Sequence, residues 1–335
     1  MPEFRQDIIT GNWVIVAKER ARRPEDFSKP EKPHKEHYRE NCPFCVGNEG
    51  QTPPEVYAVR RDGSQPDQPG WKVRAVPNKF PALTSNGQVS TGDVGIYRTM
   101  SGVGAHEVIL ETPDHDRSPA ELTQQELEDV IATYRHRYRA LLEDDRIKYV
   151  SIFRNHGRSA GASLEHPHSQ VIATPIVPPR IQDSISAAND YHSRTGKCVY
   201  CYVLEEEREA GVRVVYSNPG FVVFEPFASR TPFETCIMPR RHSPSFGEIS
   251  DQEIQQLADA LGLTMRKIAD GLNDPPYNYV IRTAPIADEY EDSEYLHWHI
   301  RIFPKLAIAA GFEMGTGIYI NTATPEDTAK FLRNI

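Results

Sequence analysis

Two Cys-x-x-Cys pairs do most to limit what this chain can fold into: Cys42/Cys45 in NCPFCVGNE and Cys198/Cys201 in KCVYCYV. In a reducing compartment such pairs are metal ligands more often than disulfides, with a redox dithiol as the alternative. A zinc ribbon sets its two pairs about 15–20 residues apart. Here nearly half the chain separates them, so each pair must find its remaining ligands elsewhere, and histidine is the usual supplement. The fifth cysteine, Cys236, sits in the apolar run FETCIMP and reads as core.

The sequence around each pair repeats in one order. After Cys42/Cys45 come the extended stretch WKVRAVPNKFPAL, a strand in HEVILETPDHD turning at His115, and a capping box at Thr123–Glu126. Leu127, Val130, Ile131, Tyr134, Tyr138 and Leu141 then keep helical spacing, Ile147 to Phe153 reads as a strand, and EHPHSQVIATP closes the half. After Cys198/Cys201 the same order returns. VRVVYSNPGFVVFEPF is extended, PFETCIMPRRH turns at His242, and Ser250–Glu253 is a second capping box. Ile254, Leu257, Leu261, Met265, Ile268 and Leu272 form a helix face, Tyr277 to Arg282 a strand, and YLHWHIRIFP the close. Chance is a poor account of six features recurring in order, so the spacing predicts a duplicated α+β unit: residues 1–180 and 181–335, joined by a helix around Ile181 to Tyr191. Residues 24–70, rich in proline and charge, read as irregular surface loop.

Each half then offers a Cys₂His₂ set: Cys42, Cys45, His115 and His166, and Cys198, Cys201, His242 and His297. Four protein ligands close a tetrahedral zinc site, so two structural zinc ions are expected rather than a catalytic one. Residues two apart on a strand share a face, so His168 stands beside His166 but is left free, with Gln170 next along the same face. A free, oriented imidazole is a nucleophile or general base. Upstream lies Asn155-His-Gly-Arg-Ser-Ala-Gly-Ala-Ser163, a small-residue loop whose backbone N–H groups could approach phosphate. Nucleophile plus donors predicts phosphoryl or nucleotidyl transfer. His299 holds the matching place in the second half, but Ile300-Arg301 replaces Ser-Gln, which predicts a structural copy without chemistry.

Over nearly its whole length the chain resembles the histidine-triad superfamily, and within it the galactose-1-phosphate uridylyltransferase family. The resemblance rests on TGNWVIVAKERARRP, CPFCVGN, PNKF, ETPDH, the Asn155 loop, HPHSQ, PFETCIMPRRH and the closing His-x-His. It implies two histidine-triad-like halves built as antiparallel half-barrel sheets with helices outside. It also implies a ping-pong reaction through a covalent nucleotidyl-histidine on His168. By motif, Gln170, Ser163, Asn155 and Asn78 would contact the nucleotide, and Arg20 and Arg23 would lie near the phosphates. A homodimer is implied, with the C-terminal segment reaching the neighbour's site. The substrates would be a nucleotide sugar and a sugar 1-phosphate.

Where galactose enzymes usually read HPHGQ this chain has Ser169, and LAIAAGFEMGTGIYIN places Ala307, Ile308 and Tyr319 at their hexose-phosphate positions. GFEMGTGIYIN looks more like ADP-glucose phosphorylase relatives, which keeps phosphate open as acceptor. A non-enzymatic zinc module is the remaining alternative. The formal net charge of −9, from 38 Lys+Arg against 47 Asp+Glu, counts against a nucleic-acid partner. No apolar run approaches the ~18 residues of a membrane span, and MPEFRQDIITGNW lacks a signal-peptide pattern, so the expectation is a cytoplasmic chain.

Overall fold

The computed structural model describes residues 1–17, 37–61, 63–287, 290 and 293–335. Its centre is one ten-stranded antiparallel sheet with no closed barrel. Five strands come from the first half: β3 (Tyr57–Arg60), β4 (Trp71–Pro77), β7 (Ala105–Leu110), β8 (Tyr149–His156) and β9 (His168–Thr174). Five come from the second: β10 (Val214–Ser217), β11 (Phe221–Phe224), β12 (Thr235–Pro239), β13 (Tyr277–Arg282) and β14 (His299–Pro304). The order is β10-β11-β12-β14-β13-β8-β9-β7-β4-β3, so each half repeats the other's strand order and the two meet where β13 pairs with β8.

The helix signals hold. Both capping boxes are closed by reciprocal hydrogen bonds, starting α1 (Gln124–Leu142) at Thr123 and α4 (Asp251–Leu272) at Ser250. The apolar positions named for α4 are all buried; on α1 Leu141 is only partly so. The two helices pack on each other over one face of the sheet. A Cβ at Gly262 would stand 2.6 Å from Leu127 Cδ1, so any larger residue there would push the Leu127 side chain aside. The joining helix is α2 (Pro179–Thr195), followed by α3 (Val199–Ala210), which opens on the second cysteine pair.

Smaller apolar clusters cover the other face. One gathers Cys42, Phe44, Cys45, Trp71, Val76, Val108 and Leu110, and the other includes Cys198, Tyr200, Phe224, Cys236 and Met238. Cys236 is core, as its setting predicts.

Two expectations need correction, and one region carried none. The stretch read as loop contains strand β3, an edge strand whose half-buried residues alternate too weakly to announce it. The extended run from Val212 is a hairpin, β10 to β11, because Asn218 Oδ1 accepts from the Gly220 and Phe221 N–H groups and forces a turn. The terminal segments, unassigned from sequence, build a separate sheet of β1 (Glu3–Gln6), β2 (Trp13–Val16) and β15 (Tyr319–Asn321). The remaining elements are an exposed hairpin, β5 (Thr91–Val94) with β6 (Tyr97–Met100), and two helices, α5 (Gly311–Thr316) and α6 (Pro325–Arg333). Among the described residues no helix is long and apolar enough to cross a membrane.

Candidate active site

The four predicted ligands of each set converge. In both Cys₂His₂ groups the ligand atoms all lie within 4.8 Å of one another. In the first, Cys45 Sγ is 3.4 Å from His115 Nδ1 and 3.7 Å from His166 Nδ1. In the second, Cys201 Sγ is 3.3 Å from His242 Nδ1 and 3.4 Å from His297 Nδ1. A tetrahedral zinc with its usual Zn–S and Zn–N lengths sets such sulfur–nitrogen edges at about 3.5 Å, so both sets fit that ion. The outer ring nitrogens of His166 and His242 donate to the Thr112 and Ser293 carbonyls, at 2.8 and 3.1 Å, the kind of support that orients a ligand. Burial pushes His166 down to about 4, which keeps its ring neutral and able to ligate.

His168 opens β9 on the sheet face opposite α1. Its Nδ1–H donates to the His166 carbonyl at 2.7 Å, which fixes the ring and leaves Nε2 with its lone pair. Burial, with Arg154 adding to it, pulls the imidazole below its usual value. Phe44, from inside the first cysteine pair, packs edge-on at 5.4 Å between ring centroids. The loop that offers metal ligands therefore also seats the imidazole.

Two amides share this face. Gln170 follows by strand alternation, and Asn155 lies beside His168 because Arg154 pairs with Ser169. Both are held by their oxygens. Asn155 Oδ1 accepts from Asn278 Nδ2 at 2.7 Å, and Gln170 Oε1 is 2.8 Å from His106 Nε2. Since the Ala82 N–H donates to His106 Nδ1, His106 carries its proton on Nε2 and is the donor to Gln170. The NH₂ ends of Asn155 and Gln170 remain as donors. Asn78 Nδ2 approaches His106 Nε2 at 3.1 Å but gains no hydrogen bond while that nitrogen is protonated, and its Oδ1 accepts from the Phe80 N–H.

The Asn155 loop corrects a third expectation. The N–H groups of Ala160, Gly161 and Ala162 bond to carbonyls within the loop rather than standing free for phosphate. Gly157, with φ +79°, turns the chain where a Cβ would strike Pro276 at 2.9 Å. Ser163 is exposed between this turn and β9. Arg20 and Arg23 lie outside the described residues.

Sequence reasoning missed what lies behind His168. On the α1 face of the sheet Arg154 Nε donates to Glu111 Oε2 at 2.9 Å, while Ser169 Oγ and the Tyr134 hydroxyl donate to Oε1. Tyr134 and Tyr279 hydroxyls are 2.6 Å apart, and Arg154 Nη1 donates to Tyr277 at 2.9 Å. Burial alone would raise the Glu111 carboxyl, but Arg154 and the hydroxyl donors hold it below the usual range. Ser169, flanked by the two catalytic candidates, thus points away from them into this network. Strand alternation was the signal for that; nothing in the sequence named Glu111 or His106.

The family described as "Galactose-1-phosphate uridyl transferase, N-terminal domain" matches residues 1–178. This chain belongs to the galactose-1-phosphate uridylyltransferase family. A domain of unknown function, DUF4921, matches residues 104–333. The ADP-glucose phosphorylase of Arabidopsis thaliana is 38% identical over 100% of this chain and 93% of its own length. The galactose-1-phosphate uridylyltransferase of Thermotoga maritima is 33% identical over 99% of this chain and 98% of its own. The crystal structure of the Arabidopsis ADP-glucose phosphorylase with bound ADP-glucose superposes with a TM-score of 0.83, 35% identity and 100% and 99% coverage.

Proposed function

We propose that the chain is a nucleotidyltransferase that moves UMP or another nucleoside monophosphate between a nucleotide sugar and a hexose 1-phosphate through a covalent adduct on His168. One observation carries this reading: an imidazole held at Nδ1 stands beside two amides anchored by their oxygens. Nε2 attacks the α-phosphorus, the N–P bond forms as the P–O bond to the sugar 1-phosphate breaks, and that phosphate leaves with the electron pair. An acceptor phosphate oxygen then attacks phosphorus and the N–P bond breaks. Throughout, Nδ1–H stays on the His166 carbonyl, which favours the positive ring of the adduct. Gln170 Nε2 and Asn155 Nδ2 donate to phosphate oxygens as charge builds there. Ser163 and Asn78 lie along the nucleotide's path. The family resemblance and the relatives' names support uridylyl transfer to hexose 1-phosphate.

A second reading takes inorganic phosphate as acceptor, as in an ADP-glucose phosphorylase. Ala307 and Ile308 favour it, together with the similarity to the Arabidopsis enzyme. Isolated adduct offered hexose 1-phosphates, phosphate and water in parallel decides between the two. Discharge by water alone, or no adduct at all, overturns both.

Each Cys₂His₂ set holds structural zinc in this proposal. The ion would supply a closed tetrahedral clamp on the strand ends that present His168 and His299. Elemental analysis should give about two zinc per chain, and Cys42→Ser or Cys198→Ser should remove one each. We also read residues 1–180 and 181–335 as the two units of a duplication, supported by the matching strand order. The chain acts as a cytoplasmic homodimer, a reading supported by the family resemblance and by exposed Ile308 and Met314 in the C-terminal segment. Light scattering of the purified protein tests the dimer.

A further inference from the structure

One cavity lies away from His168. It has a volume of about 520 Å³ and sits against the second half, over His299. Strand register makes its polar lining the counterpart of the first site. Arg282 pairs with His299 as Asn155 stands to His168, and Arg301 lies across from Cys236 as Gln170 lies across from Val108. Two neutral amides in one half are therefore two guanidiniums in the other. Glu234, two residues before Cys236, bonds Arg301 as His106, two before Val108, bonds Gln170. Tyr200, at the third position of its cysteine pair, stands 5.4 Å from the His299 ring, as Phe44 does from His168.

The charges inside do not balance. Arg230 shares Glu234 with Arg301 and lies over the Phe303 and Tyr319 rings, at 4.9 and 5.6 Å. Arg301 Nε is buried with no hydrogen-bond partner among the described residues. Arg282 has no carboxylate partner there. Burial and the positive charges of Arg230 and Arg301 lower its proton affinity, the sign of a cation held among cations. The inner acid that also lines the cavity is Asp7, with Oδ1 engaged by the Ile9 N–H at 2.9 Å. Three guanidiniums thus face two carboxylates, Asp7 and Glu234. The lining also includes exposed Arg180 and Asp183, and Glu313, whose carboxylate accepts from the Ala310 N–H. Ile9, Trp13 and Ile185 make up an apolar part of the cavity wall.

We propose that this cavity is a second ligand site that binds a phosphorylated small molecule, its phosphate on Arg282, Arg301 and Arg230 and its organic part against the apolar wall. Guanidinium forks suit phosphate oxygens. The volume accommodates a sugar or nucleoside monophosphate. The site binds without reacting, since no amide donor replaces Gln170 there, and it goes beyond the reading of His168.

Trp13 reports on this site. It is 46% exposed and lines the cavity, whereas Trp71 and Trp298, the chain's other tryptophans, are buried. Glucose 1-phosphate, AMP and UMP should each be titrated against the intact protein with inorganic phosphate in parallel, following tryptophan emission, with Trp13→Phe as the blank. At least one monoester should give a saturable change at tenfold or more lower concentration than inorganic phosphate. Arg282→Gln should weaken that binding by tenfold or more. Removing an arginine without an ion pair should leave the fold intact; Ile185→Phe, which fills the cavity from α2 without adding a tryptophan, tests the same site sterically. No saturable change with any monoester, equal affinity for inorganic phosphate, or unaltered binding in both variants overturns the proposal. None of these outcomes touches the His168 adduct, so failure here is separable from failure there.

Discussion

The two halves share a backbone plan and differ in where they put charge. In the first, the face that carries His168 is lined by neutral amides, and the ionic groups, Arg154 and Glu111, are buried behind the strand. In the second, the counterparts of Arg154 and Glu111 behind the strand are Ile281 and Pro239, both buried, and the cations stand in front, at Arg282 and Arg301. A neutral donor serves charge that appears only transiently, because it adds little to ground-state binding. A guanidinium binds a standing anion and holds it. One scaffold can therefore present a reacting site or a holding site, according to which side of one strand pair is charged.

The sharpest way to break this comparison is at the two histidines. His168→Ala should abolish the nucleotidyl adduct seen by intact mass after incubation with UDP-glucose or ADP-glucose alone, while His299→Ala should leave it forming. Adduct loss in a well-folded His299→Ala protein would mean that the halves share the chemistry. Next in size is the charge behind His168. Glu111→Gln leaves Arg154 buried without its counter-ion and should lower unfolding free energy by about 3–5 kcal/mol in denaturant titrations. Ile281→Val, at the matching apolar place, should cost only about 0.5–1.5 kcal/mol. If the two substitutions cost alike, the back faces do not differ as described.

The front-face donor comes third. Gln170→Ala should slow turnover roughly 10²–10³-fold, about 2.7–4 kcal/mol, with thermal stability kept. His106→Ala should cost less, about tenfold in kcat with KM nearly constant, because it removes only the anchor that turns the amide. The smallest effects test what the halves have in common. Thr123→Ala and Ser250→Ala should each cost about 1 kcal/mol, since both remove one side of a closed capping box. The Arg117 hydrogen bond holds Glu126 down to about 2. Its contribution is therefore complete above the ordinary carboxylate range and fades as pH falls toward 2. Glu126→Gln should flatten that acid limb of a stability–pH curve.

How much of this was legible beforehand follows from the range of each interaction. The two capping boxes, the helix faces, the Cys-x-x-Cys pairs and the alternation that sets His166, His168 and Gln170 on one strand face are local, and periodicity exposes them. The order of these elements, repeated, was enough to pair each cysteine couple with its two histidines, because a repeat supplies each set with a second reading. Non-local partners had no such signature. Glu111 meets Arg154 across 43 positions, His106 meets Gln170 across 64, and Asn278 meets Asn155 across 123. Each contact depends on strand register in a sheet whose order, β13 against β8 above all, is set by how apolar faces pack against α1 and α4. The amino-acid sequence by itself determined the elements, their repeated order and the strand face that His168 shares with Gln170. Only the tertiary structure decided which way Ser169 points, which end of each amide is free, and that the cations of the second half gather around a cavity, since side-chain direction and charge balance arise when distant strands come into register.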